Sequence, residues 1–378
     1  MDFSLSEEQQ QLRDSVSRFV ADNCDVERHR RLCSDPLGFD PRAWRQFAEL
    51  GWLAIAFSEA QGGIGGNAVD VMVITEALGR GLVREPFLHT AITCGAFLRL
   101  GATDAQQAHY ISGIIDGSTQ WAFAFAEEGS GYEFEASRCS AESVDGGWRL
   151  DGHKTTVLNG HCADYLVVSA RCPGDNDGLS LFVVDASLPG ITIEPFRSVD
   201  GSCGATVGLE AVQLDSHCLL GEAGQAMSLI EAVVDETIVA MGGEALGAMQ
   251  ALLDTTVEYT RTREQFGQPI GKFQALQHRM ADMYLKVEEV RSLLYNAAIA
   301  VSEGSAEAGQ ACAALKVKLA EAGKFVSQEA VQLHGGIGMT DELVVGHHFK
   351  RLLLLSRLYG DEDWYLQRYI ELGGQAAA

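Results

Sequence analysis

From Met227 almost to the last residues, apolar side chains recur at steps of three and four, and this sustained helical period restricts the fold more than any other feature. Leu246, Met249, Leu253 and Val257 share one helical face. Further on, Leu276, Met280, Met283, Val287, Val290 and Leu294 alternate steps of four and three, the spacing of a helix–helix packing seam. Between the two runs the chain must reverse, over Arg261 to Gln274. Gly267 and Gly271 permit dihedrals closed to other residues, and Pro269 pushes Gln268 out of the helical region. A turn of this kind can be a plain connector. This one also carries Arg263, a forked donor suited to a phosphate, and Phe266, a flat face suited to stacking on a ring. Gln265 and Gln274 add amides able to read an adenine edge. Together they would fit a dinucleotide.

The N-terminal part is helical as well. Ser6-Glu7-Glu8-Gln9 is a capping-box pattern, and Leu12, Val16, Phe19 and Val20 lay out one apolar face behind it. A second helix is expected from Asp40-Pro41 to Gly51, with Trp44, Phe47 and Leu50 turned inward. The glycines of Gly62-Gly63-Ile64-Gly65-Gly66 could cradle a phosphate, but no strand–glycine–helix frame surrounds them, and a structural loop is the expectation. Val69 to Ile115 reads as helix with breaks at Gly79–Gly81, Pro86 and Gly101.

Near Ser118 the texture changes. Short strand-like runs follow at Trp121–Phe125, Trp148–Leu150, Tyr165–Val168, Leu181–Val184 and Ile191–Ile193. Asp145-Gly146, Asp151-Gly152, Asp177-Gly178 and Asp200-Gly201 punctuate them as turns. Helices, then strands, then helices predict an α+β fold with segregated layers and not a βαβ array. The expected architecture is an N-terminal helical domain over 1–118, a middle antiparallel β domain over 119–222, and a C-terminal four-helix bundle over 223–378.

Composition narrows the function. A formal net charge of −24 argues against nucleic-acid binding, although local basic residues can still hold an anionic ligand. The nine cysteines include no Cys-x-x-Cys pair, which predicts reduced thiols and no structural metal. No apolar run approaches the ~18 residues of a membrane span, and the opening Met1-Asp2-Phe3-Ser4 lacks a basic-then-apolar signal, so the cytoplasm is the expected compartment.

The turn's Arg263-x-Gln265-Phe266-Gly267-x-Pro269-Ile270, followed by Gln274-x-x-Gln277-His278, resembles the flavin signature of the acyl-CoA dehydrogenase family. A second stretch, Gln332-Leu333-His334-Gly335-Gly336-Ile337-Gly338, is similar to that family's other FAD segment and follows in the right order. Read alone, His-Gly-Gly is also an ordinary helix C-cap. The resemblance implies FAD as cofactor, with Arg263, Gln265, Phe266, Gln274, Gln332, Leu333, His334, Gly335 and Gly336 holding the FAD of a neighbouring subunit across a dimer interface. It implies α,β-dehydrogenation of an acyl-CoA thioester, with electrons passed to an electron-transfer flavoprotein or similar carrier, and a dimer or tetramer. An oxygen-using oxidase or monooxygenase of the same fold is an alternative.

The chain departs from the family in two places. Ala126-Glu127-Glu128-Gly129-Ser130-Gly131 stands where the family has Thr-Glu-Pro-x-x-Gly-Ser-Asp, and Gly152-His153-Lys154-Thr155-Thr156-Val157-Leu158-Asn159 where it has Gly-x-Lys-x-Trp-Ile-(Thr/Ser)-Asn. Thr156 thus replaces an aromatic that packs on the flavin, and Leu158 a hydroxyl that bonds near its N5. The family's catalytic glutamate is displaced too. Counting back from Leu366-Gln367-Arg368 puts Asp361 at its position, with Glu362 the alternative; counting forward from Phe349-Lys350-Arg351 puts Tyr359 there. The same acids could cap the following helix. A minority of the family carries its base after the β domain, where this chain has Thr237, beside Asp235 and Glu236. Lost flavin contacts beside retained donated ones raise a further alternative, a catalytically weak partner subunit that completes the FAD site of a related chain.

Overall fold

The computed structural model describes residues 4–172 and 178–376. They form two compact units, one made of Met1–Cys33, Ala68–Val83 and Ile238–Ala378, the other of Ser34–Asn67 and Arg84–Thr237. Among the described residues no helix is long and apolar enough to cross a membrane.

The first unit is helical. It contains α1 (Glu7–Asn23), α2 (Val26–Ser34, whose last residue falls in the other unit), α4 (Ala68–Arg80), most of α7 (Met227–Thr262), α8 (Gln274–Ser302), α9 (Ala308–His334), α10 (Val344–Leu355) and α11 (Glu362–Ala376). Ser6 and Gln9 form the expected capping box at the start of α1, and Val16 and Phe19 of its apolar face are buried. On α8 the seam residues Met283, Val287, Val290 and Leu294 are fully buried, each contributing about 1.5–3 kcal/mol on leaving water. Helices α8, α10 and α11 all pack on α9. Helix α4 meets α7 backbone to backbone. A Cβ on Gly79 would stand 2.0 Å from the Glu244 carbonyl oxygen, and one on Gly247 1.9 Å from that of Glu76. Only glycine permits so close a crossing.

The second unit holds α3 (Pro41–Glu49), a π-helical turn at Phe87–Cys94, α5 (Gly95–Gly101), α6 (Asp104–Ile115) and the main sheet. Its strands are β1 (Trp121–Ala124), β2 (Ser140–Val144), β3 (Gly147–Leu158), β4 (Tyr165–Cys172), β5 (Gly178–Asp185), β6 (Ile191–Arg197), β7 (Cys203–Asp215) and β8 (Leu219–Leu220). They run in the order β6-β7-β3-β2-β4-β5-β8, with β1 against β4. Leu150, Val157, Leu166, Val168, Phe182, Val184, Ala205 and Val207 form the core on one side.

Several expectations need correction. The helix beginning at Asp40-Pro41 is the third, because α2 precedes it. The sheet is mixed rather than antiparallel throughout. Strand β1 pairs with β4 in parallel, since the β2–β3 hairpin between them supplies the length a parallel crossover needs. Asp151-Gly152 is not a turn. It lies inside β3 at a register shift, a bulge at which Asp151 accepts the Ala211 N–H at 2.8 Å. Asp145-Gly146 does close the β2–β3 hairpin, and Asp200-Gly201 lies between β6 and β7. Of Asp177-Gly178, Asp177 lies outside the described residues, as does the opening Met1-Asp2-Phe3. The Gly62–Gly66 loop is structural. The N–H groups of Gly63, Ile64, Gly65 and Gly66 all donate to backbone carbonyls of residues 54–58, leaving none for a phosphate.

Candidate active site

Helix α7 ends at Thr262, and the chain reverses through a two-stranded hairpin, β9 (Glu264–Gln265) and β10 (Gln268–Pro269). Phe266 and Gly267, at the tip, have φ of 54° and 80°, the doubly left-handed pattern of a type I′ turn. A phenylalanine held there costs about 1 kcal/mol or more. Phe266 is 92% exposed, and its ring lies edge-on to Phe273 with centroids 6.1 Å apart. Among the described residues the side chains of Arg263 and Gln274 have no ion-pair or hydrogen-bond partner, and both are exposed. The Gln265 side chain donates to the neighbouring Glu264 carbonyl at 2.8 Å.

The second segment closes α9. His334 is the helix's last residue, and Gly335 takes φ 66° and ψ −142° to end it. The His334 ring donates through Nδ1 to the Ala330 carbonyl at 2.8 Å and stacks on Tyr259 of α7, with centroids 4.5 Å apart. That ring pair ties the approach to the hairpin to the end of α9, so the two resemblance motifs are joined. Burial holds the imidazole below its usual pKa, and among the described residues its buried Nε2 has no hydrogen-bond partner. Gln332 is exposed, and a Cβ on Gly335 or Gly336 would meet nothing within 4 Å. Leu333 is buried, so only its backbone could face a ligand. One unpaired guanidinium, free amides, an uncovered ring and open glycine backbone fit the ADP half of FAD.

The acidic loop after α10 is arranged differently from a bare carboxylate in a pocket. Tyr359 (φ 59°) and Gly360 (φ 137°) turn the chain, and Asp361 caps α11. Its Oδ1 accepts the Trp364 N–H at 3.1 Å, and its Oδ2 lies 3.5 Å from the Arg357 guanidinium. Glu362 opens α11 and is exposed. Tyr359 is buried. The cap function weighed for these acids is therefore present at Asp361. In the other unit Thr237 is buried, donating to the Val233 carbonyl at 2.8 Å and lying 3.1 Å from the Thr93 hydroxyl. Glu236 is held by Arg99. Asp235 is half-buried.

Beside the β3 departures lies a group that the sequence did not single out as a pair. Glu127 and Lys154 form a buried ion pair at 2.6 Å. The Glu127 carboxylate also accepts the Ser137 hydroxyl at 2.7 Å and the N–H groups of Arg138 and Cys139 at 2.7 and 3.2 Å. Burial pushes Glu127 up, but the Lys154 bond and charge, with Ser137 and Arg138, outweigh it and hold the acid below its ordinary value. Lys154 further donates to Ser169 at 3.1 Å and to the Phe125 carbonyl at 3.3 Å. The pair anchors the 126–131 loop to β3. On the same strand Thr156 is exposed and Leu158 buried. Lys154 lies on the inward parity of β3 with Leu150, a continuity that reading Asp151-Gly152 as a turn concealed.

Comparison with known proteins identifies the family. Models of the acyl-CoA dehydrogenase N-terminal, middle and C-terminal domains match residues 6–118, 122–215 and 225–368. The acyl-CoA dehydrogenase IpdE2 of Mycolicibacterium smegmatis is 30% identical over 365 residues, 96% of this chain and 98% of that protein. Two solved structures superpose over nearly the whole length. The ChsE4-ChsE5 complex from Mycobacterium tuberculosis gives a TM-score of 0.90 at 28% identity, covering 100% of this chain and 99% of that one. PigA with FAD and proline gives 0.93 at 25% identity, covering 99% of each. The chain is an α+β oxidoreductase. It belongs to the acyl-CoA dehydrogenase family.

Proposed function

We propose that the chain serves the FAD-dependent α,β-dehydrogenation of an acyl-CoA thioester to the 2,3-enoyl-CoA, with electrons leaving to an external flavoprotein carrier. The observation that carries this reading is the joined pair of segments with uncovered, unpaired groups, Arg263 to Gln274 and Gln332 to Gly336. The cofactor is FAD, which supplies the hydride acceptor that no side chain can be. Arg263 would face a phosphate, Gln265 and Gln274 an adenine edge, Phe266 a ring, and the Leu333 to Gly336 backbone the pyrophosphate. Groups so exposed in one chain are suited to a cofactor held by the next, in a dimer or a dimer of dimers. Asp361 is our assignment for the group that removes the α-proton, with Glu362 the alternative; either must lie within hydrogen-bond reach of that proton. The domain limits 1–118, 119–222 and 223–378 belong to the same reading.

A second reading is favoured by specific observations. Asp361 is engaged as a helix cap, and Thr156 and Leu158 replace flavin contacts. In this reading the chain completes the FAD site of a related subunit and is weak alone; the solved ChsE4-ChsE5 complex, in which a chain superposes on this one, is a precedent for a chain of this fold acting with a named partner. The experiment is the purified chain's FAD content and its loss of oxidised-flavin colour with acyl-CoA thioesters, alone and mixed with a related subunit. Reduction by the chain alone supports the first reading, and reduction only in the mixture the second. Absence of FAD in both preparations overturns the assignment.

A further inference from the structure

Lys316 lies in the first half of α9 with its side chain wholly buried, an uncommon place for an ammonium. Its Nζ donates to the carbonyl of Leu355, the last residue of α10, at 2.7 Å. The same nitrogen stands 5.8 Å from the centre of the Tyr365 ring on α11. The last carbonyls of a helix have no partner inside it, and a cation at that end also complements the helix dipole. One side chain therefore grips both helices that flank the Ser356–Asp361 connection. That connection is tightly turned: Tyr359 sits in the left-handed region, and Gly360 leaves no room for a side chain, since a Cβ there would come within 2.5 Å of the Tyr365 ring. The charged and titratable groups facing the ammonium are Asp361 and Arg357 from the connection and Tyr365 from α11.

We propose that Lys316 is the positioning residue of the catalytic-loop segment, fixing the 356–361 connection by holding the end of α10 against the start of α11. Its role in turnover rests on the dehydrogenase reading above; its role in ordering the loop does not. The bond to Leu355 is strongest while the amine is charged. Burial lowers the Lys316 pKa to about 7, with Asp361 opposing that shift and Arg357 adding to it, so the grip weakens as pH rises through neutrality.

The test is amide hydrogen exchange of the 356–364 peptide in the intact protein as purified, at pH 6 and pH 9, corrected for intrinsic rates. In the parent, protection of this peptide should fall several-fold from pH 6 to pH 9. Lys316→Met keeps length and volume but cannot donate. It should lose at least about tenfold of the protection at pH 6, with no dependence on pH, while α8 keeps its own. Lys316→Gln, which keeps a neutral donor, should be intermediate and also independent of pH; it decides the matter if the methionine variant does not fold. Where the chain turns over, kcat should fall with KM kept. Parent-like protection at 356–364 in both variants overturns the proposal, as does a loss spread evenly over α8 and α9. Absence of turnover bears only on the function reading.

Discussion

Lys154→Met removes the cation from a pair whose side chains are 0% and 5% exposed and 2.6 Å apart. Taking one partner from a buried pair usually costs about 3–5 kcal/mol, because the other charge is left in a poor solvent. Glu127 keeps the Ser137 hydroxyl and two backbone N–H groups, and methionine fills most of the vacated volume, so the low end applies, about 3 kcal/mol at pH 7. The pH dependence has a definite sign. In the parent, Glu127 has a folded pKa below its unfolded value, so its contribution is present above the unfolded pKa and is lost as pH falls through the folded one. In the variant, burial acts without Lys154 and raises the folded pKa. That contribution is then present at low pH and is lost as pH rises, so the deficit should shrink between pH 7 and pH 5. Urea unfolding followed by tryptophan emission reads both effects, with Trp148 on the same strand as Lys154. Replacing both partners, Lys154→Met with Glu127→Leu, should recover much of the loss. A Lys154→Met deficit below about 0.5 kcal/mol at pH 7, or one unchanged at pH 5, would refute the account.

Other outcomes follow from single contacts. Arg263→Ala should weaken FAD retention roughly ten- to a hundredfold on dilution and gel filtration, as expected for loss of a charge-assisted contact. Asp361→Asn keeps a good cap and should leave the melting temperature unchanged, whereas Asp361→Ala should lower stability by about 1 kcal/mol. If Asp361 is the base, Asp361→Asn also slows flavin reduction by at least ~10²-fold in rapid mixing; if Glu362 is, Glu362→Gln does so instead. Gly247→Ala places a methyl 1.9 Å from the Glu76 carbonyl oxygen and should cost about 1–3 kcal/mol, seen as a lower thermal midpoint.

What could be read in advance depended on locality. The α8 seam was legible because the spacing of Met283, Val287, Val290 and Leu294 maps directly onto burial. The start of α1 was legible because its cap and its first turn are adjacent in sequence. Helix α2 was not, since two of its three buried residues, Arg28 and His29, are polar and leave no apolar stripe. Asp151-Gly152 misled because a bulge and a turn call on the same dipeptide. At the candidate site, the hairpin's Phe266 and Gly267 were visible as turn chemistry. The Tyr259–His334 stack was not, because it joins two helices through rings that carry no local signal. Lys154 and Lys316 were hidden for a further reason: lysine reads as surface unless its partner is known, and Glu127 and the Leu355 carbonyl are both distant in sequence.

The close crossing of α4 on α7 also bears on how the chain is made. Helix α4 is complete at Arg80, but Gly243 and Gly247, against which it packs, emerge only much later. At about 5–20 residues per second a ribosome needs roughly 8 to 30 s to supply them. Meanwhile Val71, Met72, Ile74 and Leu78, buried in the finished fold, lack that seat, a natural target for a chaperone. The unit built from Ser34–Asn67 and Arg84–Thr237 is wholly synthesised before that wait ends. Nascent chains halted before residue 238 should therefore carry a sticky N-terminal helix, and deleting 68–80 from such fragments is not a remedy, because that segment links the two stretches of the other unit.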